Sequence, residues 1–374
     1  METISCKYSG VFNDPSGYGS ANRAFVTALH LAGVDVTLEL VTQTREQAYH
    51  GWEQHLCTAL LNRNVPYKVK IIHLTPDIYE PYLEKGKYHI GHLFWETDSL
   101  PKEWIDPINK MGEIWTSSPN MAELFKRGGV KVPIYWFPQP IDITMADKDF
   151  GKFQVDHHMG VLFYSIFQWI ERKNPRALLH AYWKAFKGKD DVSLLLKTFR
   201  LSYDQKEFNH IRDDITRWKQ ELGLSHYPRV LLCTKLMSDF EMMRLHNTGD
   251  CFVTAHRGEG WSRPIQESLL IGKPVIATAR GGIHEYLRDN HYYPVNSKYV
   301  PVTEVPYIKF YKADQKWAEV DEAELIKSMQ FVYANPRLAS AKGVLAKDMI
   351  KNQFNYHRIG GLMRERLEEI YKSL

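Results

Sequence analysis

The sequence predicts an α/β protein in which two parallel sheets are each covered by helices on both faces. Short apolar, β-branched runs alternate with helix-like segments as far as residue 132, and the same alternation resumes at residue 161. Repeated strand–helix units favour a parallel sheet. Residues 133–149 interrupt the pattern with three prolines and end in charged residues, so we place a linker there. A chain of 374 residues is long enough to bury two cores.

The first series contains a helix over 21–32, because Ala24, Phe25, Ala28 and Leu29 fall on one face of it. Strands are predicted over residues 34–38, 69–74, 88–94 and 113–116, followed by a helix over 118–126. These elements predict a first domain that spans residues 1–145.

The second series predicts a domain over residues 146–345. Its predicted strands cover residues 161–167, 192–199, 229–234, 251–254 and 275–278. Its predicted helices cover residues 175–186, 208–222, 239–247, 264–270, 283–287 and 322–333. A last helical stretch is predicted over 338–372, and residues 346–374 are expected to pack back on the first domain.

Composition excludes several classes of protein. Hydrophobic residues make up 44% and charged residues 25% of the chain, which indicates a globular protein. The formal net charge of +4 is too balanced to indicate nucleic-acid binding by itself. No cysteine pair has metal-binding spacing, no secretory signal opens the sequence, and no apolar run is long enough to span a membrane. We expect a cytoplasmic protein, with peripheral membrane contact left open.

Glu259 and Glu267 are the most informative pair of residues. Glu259 lies in a glycine-containing loop. Pro264 favours the start of a helix, which places Glu267 in or near the first turn of that helix. A loop carboxylate and a helix-start carboxylate can bind one polyhydroxylated ligand. The helix N-terminus at the same place favours a phosphate.

A second anion site is predicted directly afterwards. Residues 275–278 read as a buried strand, Gly281 and Gly282 follow it, and a helix is predicted next. Bare backbone N–H groups at such a glycine turn can approach a phosphate. Two acids and two phosphate-binding corners within about thirty residues match the ribose, diphosphate and sugar of a nucleotide-sugar.

Residues 258–287 therefore resemble the donor site of the retaining glycosyltransferases of family 4, also called glycosyl transferases group 1, which have the GT-B fold. The two glutamates with seven residues between them, the strand after Gly272 and the Gly-Gly turn carry the resemblance. It implies two Rossmann-like domains that face each other across a cleft, with a C-terminal helix that crosses back to the first domain. It is strong from about residue 160 to 360 and looser before that.

The resemblance also implies roles for individual residues. Glu267 is expected to hold the ribose and Glu259 the donor sugar, while cations after the first strand of the second domain stabilise the leaving diphosphate. Lys173 matches the family lysine well, whereas the family arginine usually lies earlier, where this chain has Phe167 and Gln168. The expected donor site comprises Gly17, Gly19, Lys173, Arg172, His256, Glu259, Gly260, Trp261, Ser262, Arg263, Glu267, Gly281 and Gly282.

Three residues of the first domain are candidates for acceptor binding, namely Tyr18, Trp95 and Glu96. His92 ends a predicted strand, as does a histidine near the reacting sugar in many relatives. The expected catalytic residues are Glu259, His92, Lys173 and Arg172. Without the resemblance, a structural role for His92 is as well supported as a catalytic one.

The sequence thus predicts a retaining glycosyltransferase that moves a sugar from a nucleotide-sugar to an acceptor hydroxyl. A UDP-sugar is the first expectation for the donor and a GDP-sugar the second, with no essential metal or other cofactor. The acceptor is left open among a glycan, a lipid-linked sugar and a modified base in DNA, and no obligate protein partner is evident. A nucleotide-sugar epimerase or hydrolase on the same fold, or a non-catalytic nucleotide-sugar binder, is the alternative.

Overall fold

The computed structural model describes residues 3–41, 51–303, 305 and 308–374, with Glu285 described by its backbone only. The chain forms two compact units. The first unit comprises residues 1–143 and 351–374, and the second comprises residues 144–350.

The first unit is built on a six-stranded parallel sheet. Its strands are β1 Ser5–Gly10, β2 Asp35–Leu40, β3 Val69–His73, β4 Tyr88–His92, β5 Glu113–Thr116 and β6 Ile134–Trp136. They lie in the order β2-β1-β3-β4-β5-β6. The helices that precede β6 are α1 Gly17–Leu31, α2 Trp52–Leu60, α3 Ile105–Asn109 and α4 Pro119–Arg127.

Two local predictions for this unit are wrong. Residues 134–136 fall inside the predicted linker, but they form β6, because their backbone pairs with β5 in register. The helix α1 begins at Gly17 and not at residue 21, because the Ser16 side chain caps it by accepting a hydrogen bond from the Gly19 N–H at 3.2 Å. Gly17 and Gly19 therefore lie in the first helical turn.

The second unit contains another six-stranded parallel sheet. Its strands are β7 Val161–Gln168, β8 Val192–Phe199, β9 Arg229–Cys233, β10 Cys251–Thr254, β11 Val275–Thr278 and β12 Tyr293–Val295. Their order is β12-β11-β10-β7-β8-β9, so the direction of strand addition reverses between β7 and β10. Ligands of doubly wound sheets bind at the carboxyl ends of the strands at such a reversal.

Helices cover both faces of this second sheet. They are α5 Pro175–Ala185, α6 Gln205–Leu222, α7 Asp239–Thr248, α8 Arg263–Leu270, α9 Ile283–Tyr286, α10 Glu322–Ala334 and α11 Pro336–Gln353. One buried apolar cluster joins α5, α6 and α10 to one face of the sheet, with Trp183, Leu194 and Met329 among its members. Burial of these large side chains fixes the strands whose carboxyl ends carry the site.

An antiparallel hairpin follows β12, and the sequence analysis did not predict it. It consists of β13 Ser297–Pro301 and β14 Lys316–Val320. The hairpin leads into α10, whose first turn is capped by the Asp321 side chain.

The end of the chain contains two helices rather than the one predicted stretch. The helix α12 Tyr356–Ser373 begins after Asn355, whose side chain accepts a hydrogen bond from the Arg358 N–H at 2.9 Å. It packs on α1 within the first unit, where a Cβ on Gly360 would lie only 2.1 Å from the Ala28 carbonyl oxygen. Arg366 of α12 binds the fully buried Glu113 of β5 at 2.7 Å.

Candidate active site

The candidate donor residues of the second unit lie at the carboxyl ends of neighbouring strands. A single 3-10 turn, Glu171–Lys173, follows β7 and presents Arg172 and Lys173. The loop 255–262 follows β10, and the loop 279–282 follows β11. Because β7, β10 and β11 are adjacent in the sheet, these three loops converge at one edge.

Glu259 is the centre of a charged cluster at this edge. Its carboxylate accepts a short hydrogen bond from the Lys173 Nζ, and the Arg172 Nη1 lies 3.5 Å from its other oxygen. Burial alone would raise the pKa of Glu259, but the charges of Lys173 and Arg172 lower it to about 2. The side chain is only 9% exposed and fully ionised at neutral pH, so the cluster of three side chains carries a net positive charge.

The Gly281–Gly282 turn packs directly on the Glu259 loop. The Gly282 N–H donates to the Glu259 carbonyl oxygen at 2.8 Å. Gly281 has a φ of +84°, and a Cβ on Gly282 would lie 2.0 Å from the Gly260 carbonyl oxygen. Only glycine permits this approach, so the two loops are held together by backbone contact.

Glu267 lies on α8, in its second turn rather than its first, because the helix begins at Arg263. Its carboxylate accepts a hydrogen bond from the Arg263 Nε at 2.9 Å, and the His246 Nε2 is 3.3 Å away. Burial would raise its pKa, but the His246 hydrogen bond and the Arg263 charge lower it. The carboxylate is thus ionised and oriented by two side chains.

The residues between the two glutamates have mainly structural contacts. Trp261 is buried against Tyr286 with ring centroids 4.4 Å apart, and the Tyr286 hydroxyl donates to the Trp261 carbonyl oxygen at 2.9 Å. Ser262 adopts a left-handed φ of +70°, an unusual conformation for a residue with a side chain. This kink turns the chain from the loop into α8.

His256 is fully buried, and neither ring nitrogen has a hydrogen-bond partner among the described residues. Burial lowers its pKa to about 4, against the opposing effect of the Glu259 charge. The ring is therefore neutral at pH 7, with one donor and one acceptor at its nitrogens.

Arg257 and Glu319 form a part of the site that sequence analysis missed. Arg257 donates to the Glu319 carboxylate at 2.7 and 2.9 Å, and its backbone N–H donates to the Arg172 carbonyl oxygen at 2.7 Å. Glu319 of β14 also accepts from the Asn174 Nδ2 at 3.0 Å. The hairpin therefore ties the turn of Lys173 to the loop of Glu259. Glu319 lies in the second strand of the hairpin that the sequence analysis did not predict, so this contact had no local signal in the sequence.

Three candidate residues of the first unit lie together at the start of α1. Gly17, Tyr18 and Gly19 form the first turn of α1, where the Gly19 N–H already binds the Ser16 side chain. A Cβ on Gly19 would lie 2.1 Å from the Asp14 carbonyl oxygen, whereas Gly17 has open space around it. Close packing explains Gly19, and a role for Gly17 and Tyr18 in ligand binding stays a prediction.

His92 ends β4, as predicted, and is stacked on His73, which ends β3, with ring centroids 4.1 Å apart. The Tyr8 hydroxyl lies 2.7 Å from the His73 Nδ1 and 3.3 Å from the His92 Nδ1. Burial lowers the pKa of His92 to about 3. Both Nε2 atoms lack a hydrogen-bond partner among the described residues. The structure thus brings His92 and His73 together as a neutral pair, and a catalytic role of His92 stays a prediction.

Trp95 is 5% exposed and packs edge-on against Trp104, with ring centroids 4.6 Å apart. Its indole N–H donates to the Thr97 Oγ1 and the Ser99 carbonyl oxygen, both at 2.7 Å. Glu96 beside it is half-buried. Acceptor binding by either residue stays a prediction.

Neither a cluster of metal-binding side chains nor a membrane-spanning helix occurs among the described residues. No group of three or more histidine, cysteine, aspartate or glutamate side chains in these ranges could hold a metal ion. None of the described helices is long and apolar enough to cross a membrane.

Comparison with known proteins agrees with this geometry. Residues 168–300 match the sequence model of glycosyl transferases group 1, a range that contains Lys173, Glu259, Glu267 and the Gly281–Gly282 turn. None of the curated protein sequences matches the chain.

Solved structures that resemble the chain share its fold at low sequence identity. Sucrose-phosphate synthase from Thermosynechococcus elongatus matches with a TM-score of 0.70 and 14% identity, covering 99% of this chain and 100% of that one. HepE of Anabaena, solved with UDP and glucose, matches with a TM-score of 0.66 and 12% identity over 98% and 100% of the two chains. A glycosyltransferase from Rickettsia africae matches with a TM-score of 0.69 and 13% identity over the whole of both chains.

These likenesses establish the fold, and the match to residues 168–300 establishes the domain type. Residues 168–300 therefore form a domain of the glycosyl transferases group 1 type, in a chain that has the GT-B fold.

Proposed function

We propose that the protein transfers a sugar from a nucleoside diphosphate sugar to an acceptor hydroxyl, with retention of the anomeric configuration. The observation that carries this proposal is the buried cluster of Lys173, Arg172 and Glu259 beside the Gly281–Gly282 turn. Two fixed cations and one ionised carboxylate can bind both the diphosphate and the sugar of such a donor.

Lys173 and Arg172 bind the diphosphate in this proposal. The negative charge on the diphosphate increases as the bond to the sugar breaks, and preorganised cations stabilise that charge most strongly in the transition state. Arg172 also donates to the Gly258 carbonyl oxygen at 2.6 Å, which holds its guanidinium in place. Positioning of this kind avoids reorganisation during the reaction.

Glu259 holds the donor sugar, and Glu267 holds the ribose. An ionised carboxylate only accepts hydrogen bonds, so each can accept from sugar hydroxyls. Glu267 is oriented for this by Arg263 and His246, and Glu259 by the two cations. The diphosphate would then share Lys173 and Arg172 with the Glu259 carboxylate.

The transfer step keeps the configuration at the anomeric carbon. The bond from this carbon to the diphosphate oxygen breaks, and the acceptor oxygen bonds to the carbon on the same face. The acceptor proton passes to the departing phosphate oxygen, so the protein contributes charge stabilisation and positioning. We propose a UDP-sugar as the donor, since HepE has been solved with UDP-glucose.

The test is product analysis with UDP-sugars and GDP-sugars, in the presence of EDTA, against panels of glycan, lipid-linked and hydroxymethylated DNA acceptors. We expect turnover with one donor and an NMR-defined product with the anomeric configuration of that donor. Lys173→Met should abolish turnover, while Lys184→Met, in the last turn of α5 where Lys184 pairs with Glu322, should not. Inversion of configuration, or release of free sugar alone with every acceptor, would contradict the proposal.

A further inference from the structure

A buried lysine on β8 lies outside every group assigned so far. Lys197 is 5% exposed and pairs in register with Ile166 of β7 and Cys233 of β9. It is third from the carboxyl end of β8, next to the strand reversal where the donor site is built. A lysine so deeply buried in a central strand is rare unless it is paired or functional.

The Lys197 ammonium has no counter-ion and no hydrogen-bond acceptor within the part of the chain that the structure describes. Its Nζ lies 4.8 Å from the centroid of the Tyr203 ring and 6.0 Å from that of Phe199. Cys233 and the like charge of Lys235 also act on it. Those two rings stack with centroids 4.8 Å apart. Burial lowers the Lys197 pKa to about 8, so the amine is still mainly protonated at pH 7. An uncompensated buried cation is costly, which favours a ligand that supplies the missing acceptor.

The register of the sheet places Lys197 on the face that carries Glu267. Leu195 pairs with Tyr164, whose hydroxyl lies 2.6 Å from the Ser268 Oγ and 3.1 Å from the His246 Nδ1. His246 in turn contacts Glu267. Lys197 follows Leu195 by two residues, so it projects to the same face and lies one step nearer the carboxyl edge. Lys197 and Glu267 therefore lie on the same face of the sheet, toward its carboxyl edge.

We propose that Lys197 recognises the nucleobase of the donor by donating a hydrogen bond to an oxo oxygen on the base edge. This inference rests on the proposed function, because it places a nucleoside at Glu267. An ammonium group has three donors and no acceptor. It therefore pairs with the 4-oxo group of uracil or the 6-oxo group of guanine and opposes the amino group at the same position of cytosine or adenine. Lys197 thereby selects uridine or guanosine diphosphate donors.

The test measures the binding of UDP, CDP, GDP and ADP by titration calorimetry. The pairs UDP/CDP and GDP/ADP differ at the oxo or amino position that Lys197 reads. A hydrogen bond from a charged donor predicts about 10- to 100-fold tighter binding of the oxo member of one pair by the wild type. Lys197→Met should reduce that ratio to within about threefold by weakening the oxo member alone, with the binding of the amino member unchanged.

Matched variants keep the result interpretable. Lys187→Met removes an exposed lysine from the turn between α5 and β8, and it should leave the ratio unchanged. Lys197→Arg retains a cationic donor and should preserve the preference for the oxo nucleotide. If thermal unfolding shows that Lys197→Met is misfolded, Lys197→Gln takes its place. A wild type that binds both members of each pair equally, or a ratio that survives in Lys197→Met, overturns the inference while leaving the proposed function intact. A wild type that binds none of the four nucleotides overturns the proposed function itself.

Discussion

Replacing Glu259 with glutamine should strengthen nucleotide binding while it abolishes turnover. The carboxylate neutralises part of the charge of Lys173 and Arg172, with the Arg172 Nη1 at 3.5 Å. Glu259→Gln keeps the size of the side chain and removes the negative charge. The cluster gains one positive charge for an incoming diphosphate, and the donor sugar loses its ionised acceptor.

The magnitude follows from the ionisation of Glu259. The fall of its pKa from 4.5 to about 2 corresponds to about 3 kcal/mol of favourable interaction with the charged form. Because the pKa is depressed in the folded state, this contribution is present above pH 4.5 and is lost as the pH falls toward 2. Glu259→Gln should therefore lower the free energy of unfolding by up to about 3 kcal/mol at pH 7 and by much less near pH 3.

Two assays check this prediction. Urea unfolding at pH 7 and pH 3 measures the stability difference, and calorimetry with UDP and GDP measures binding. Release of the two cations from one hydrogen-bonded carboxylate predicts roughly tenfold tighter binding of the nucleotide. Weaker binding in Glu259→Gln, together with a stability difference that does not change with pH, would refute the assignment of these charges.

Three further substitutions test the supports of the site. Gly282→Ala should cost about 1–3 kcal/mol of stability and abolish nucleotide binding in calorimetry, because its methyl group meets the Gly260 carbonyl at 2.0 Å. Gly361→Ala, which has open space on α12, should bind as the wild type. Glu319→Gln should raise the KM for the donor severalfold by releasing Arg257; an unchanged KM would show that the hairpin does not position the site. His92→Gln should make the free energy of unfolding fall less between pH 6.5 and pH 3. Burial lowers the pKa of His92 to about 3, so the neutral ring stabilises the fold above pH 6.5, and this contribution is lost as the pH falls toward 3. An unchanged pH profile in urea unfolding would contradict this.

The convergence of the charged residues could be predicted from the sequence, because each of them follows a strand of the same predicted parallel sheet. Lys173 follows a strand, Glu259 follows another and Gly281 a third, and in a parallel sheet all carboxyl ends lie on one edge. The glycine pair could also be predicted, since a turn that approaches another backbone requires glycine.

The supports of that edge could not be predicted in the same way. Arg257 and Glu319 are 62 residues apart, and their ion pair depends on a hairpin whose strands show no clear alternation of apolar and polar residues. The burial of His92 depends on its stacking with His73 from the neighbouring strand. The break before α12 depends on the Asn355 cap, which a helix-like composition on both sides concealed. The ion pair and the histidine stack are tertiary contacts that local pattern does not encode, whereas the Asn355 cap is a local contact within a helix-rich segment.

The return of the chain to the first unit has a consequence for its synthesis. The second unit is continuous in sequence, but α1 is covered by Gly360 and the other buried residues of α12, which are synthesised only after the whole second unit. Until then the apolar side of α1 and the carboxylate of Glu113 lack their native partners. The first unit is thus translated first and completed last. Nascent chains stalled before residue 356 should therefore be better substrates for chaperones and proteases than chains that contain α12.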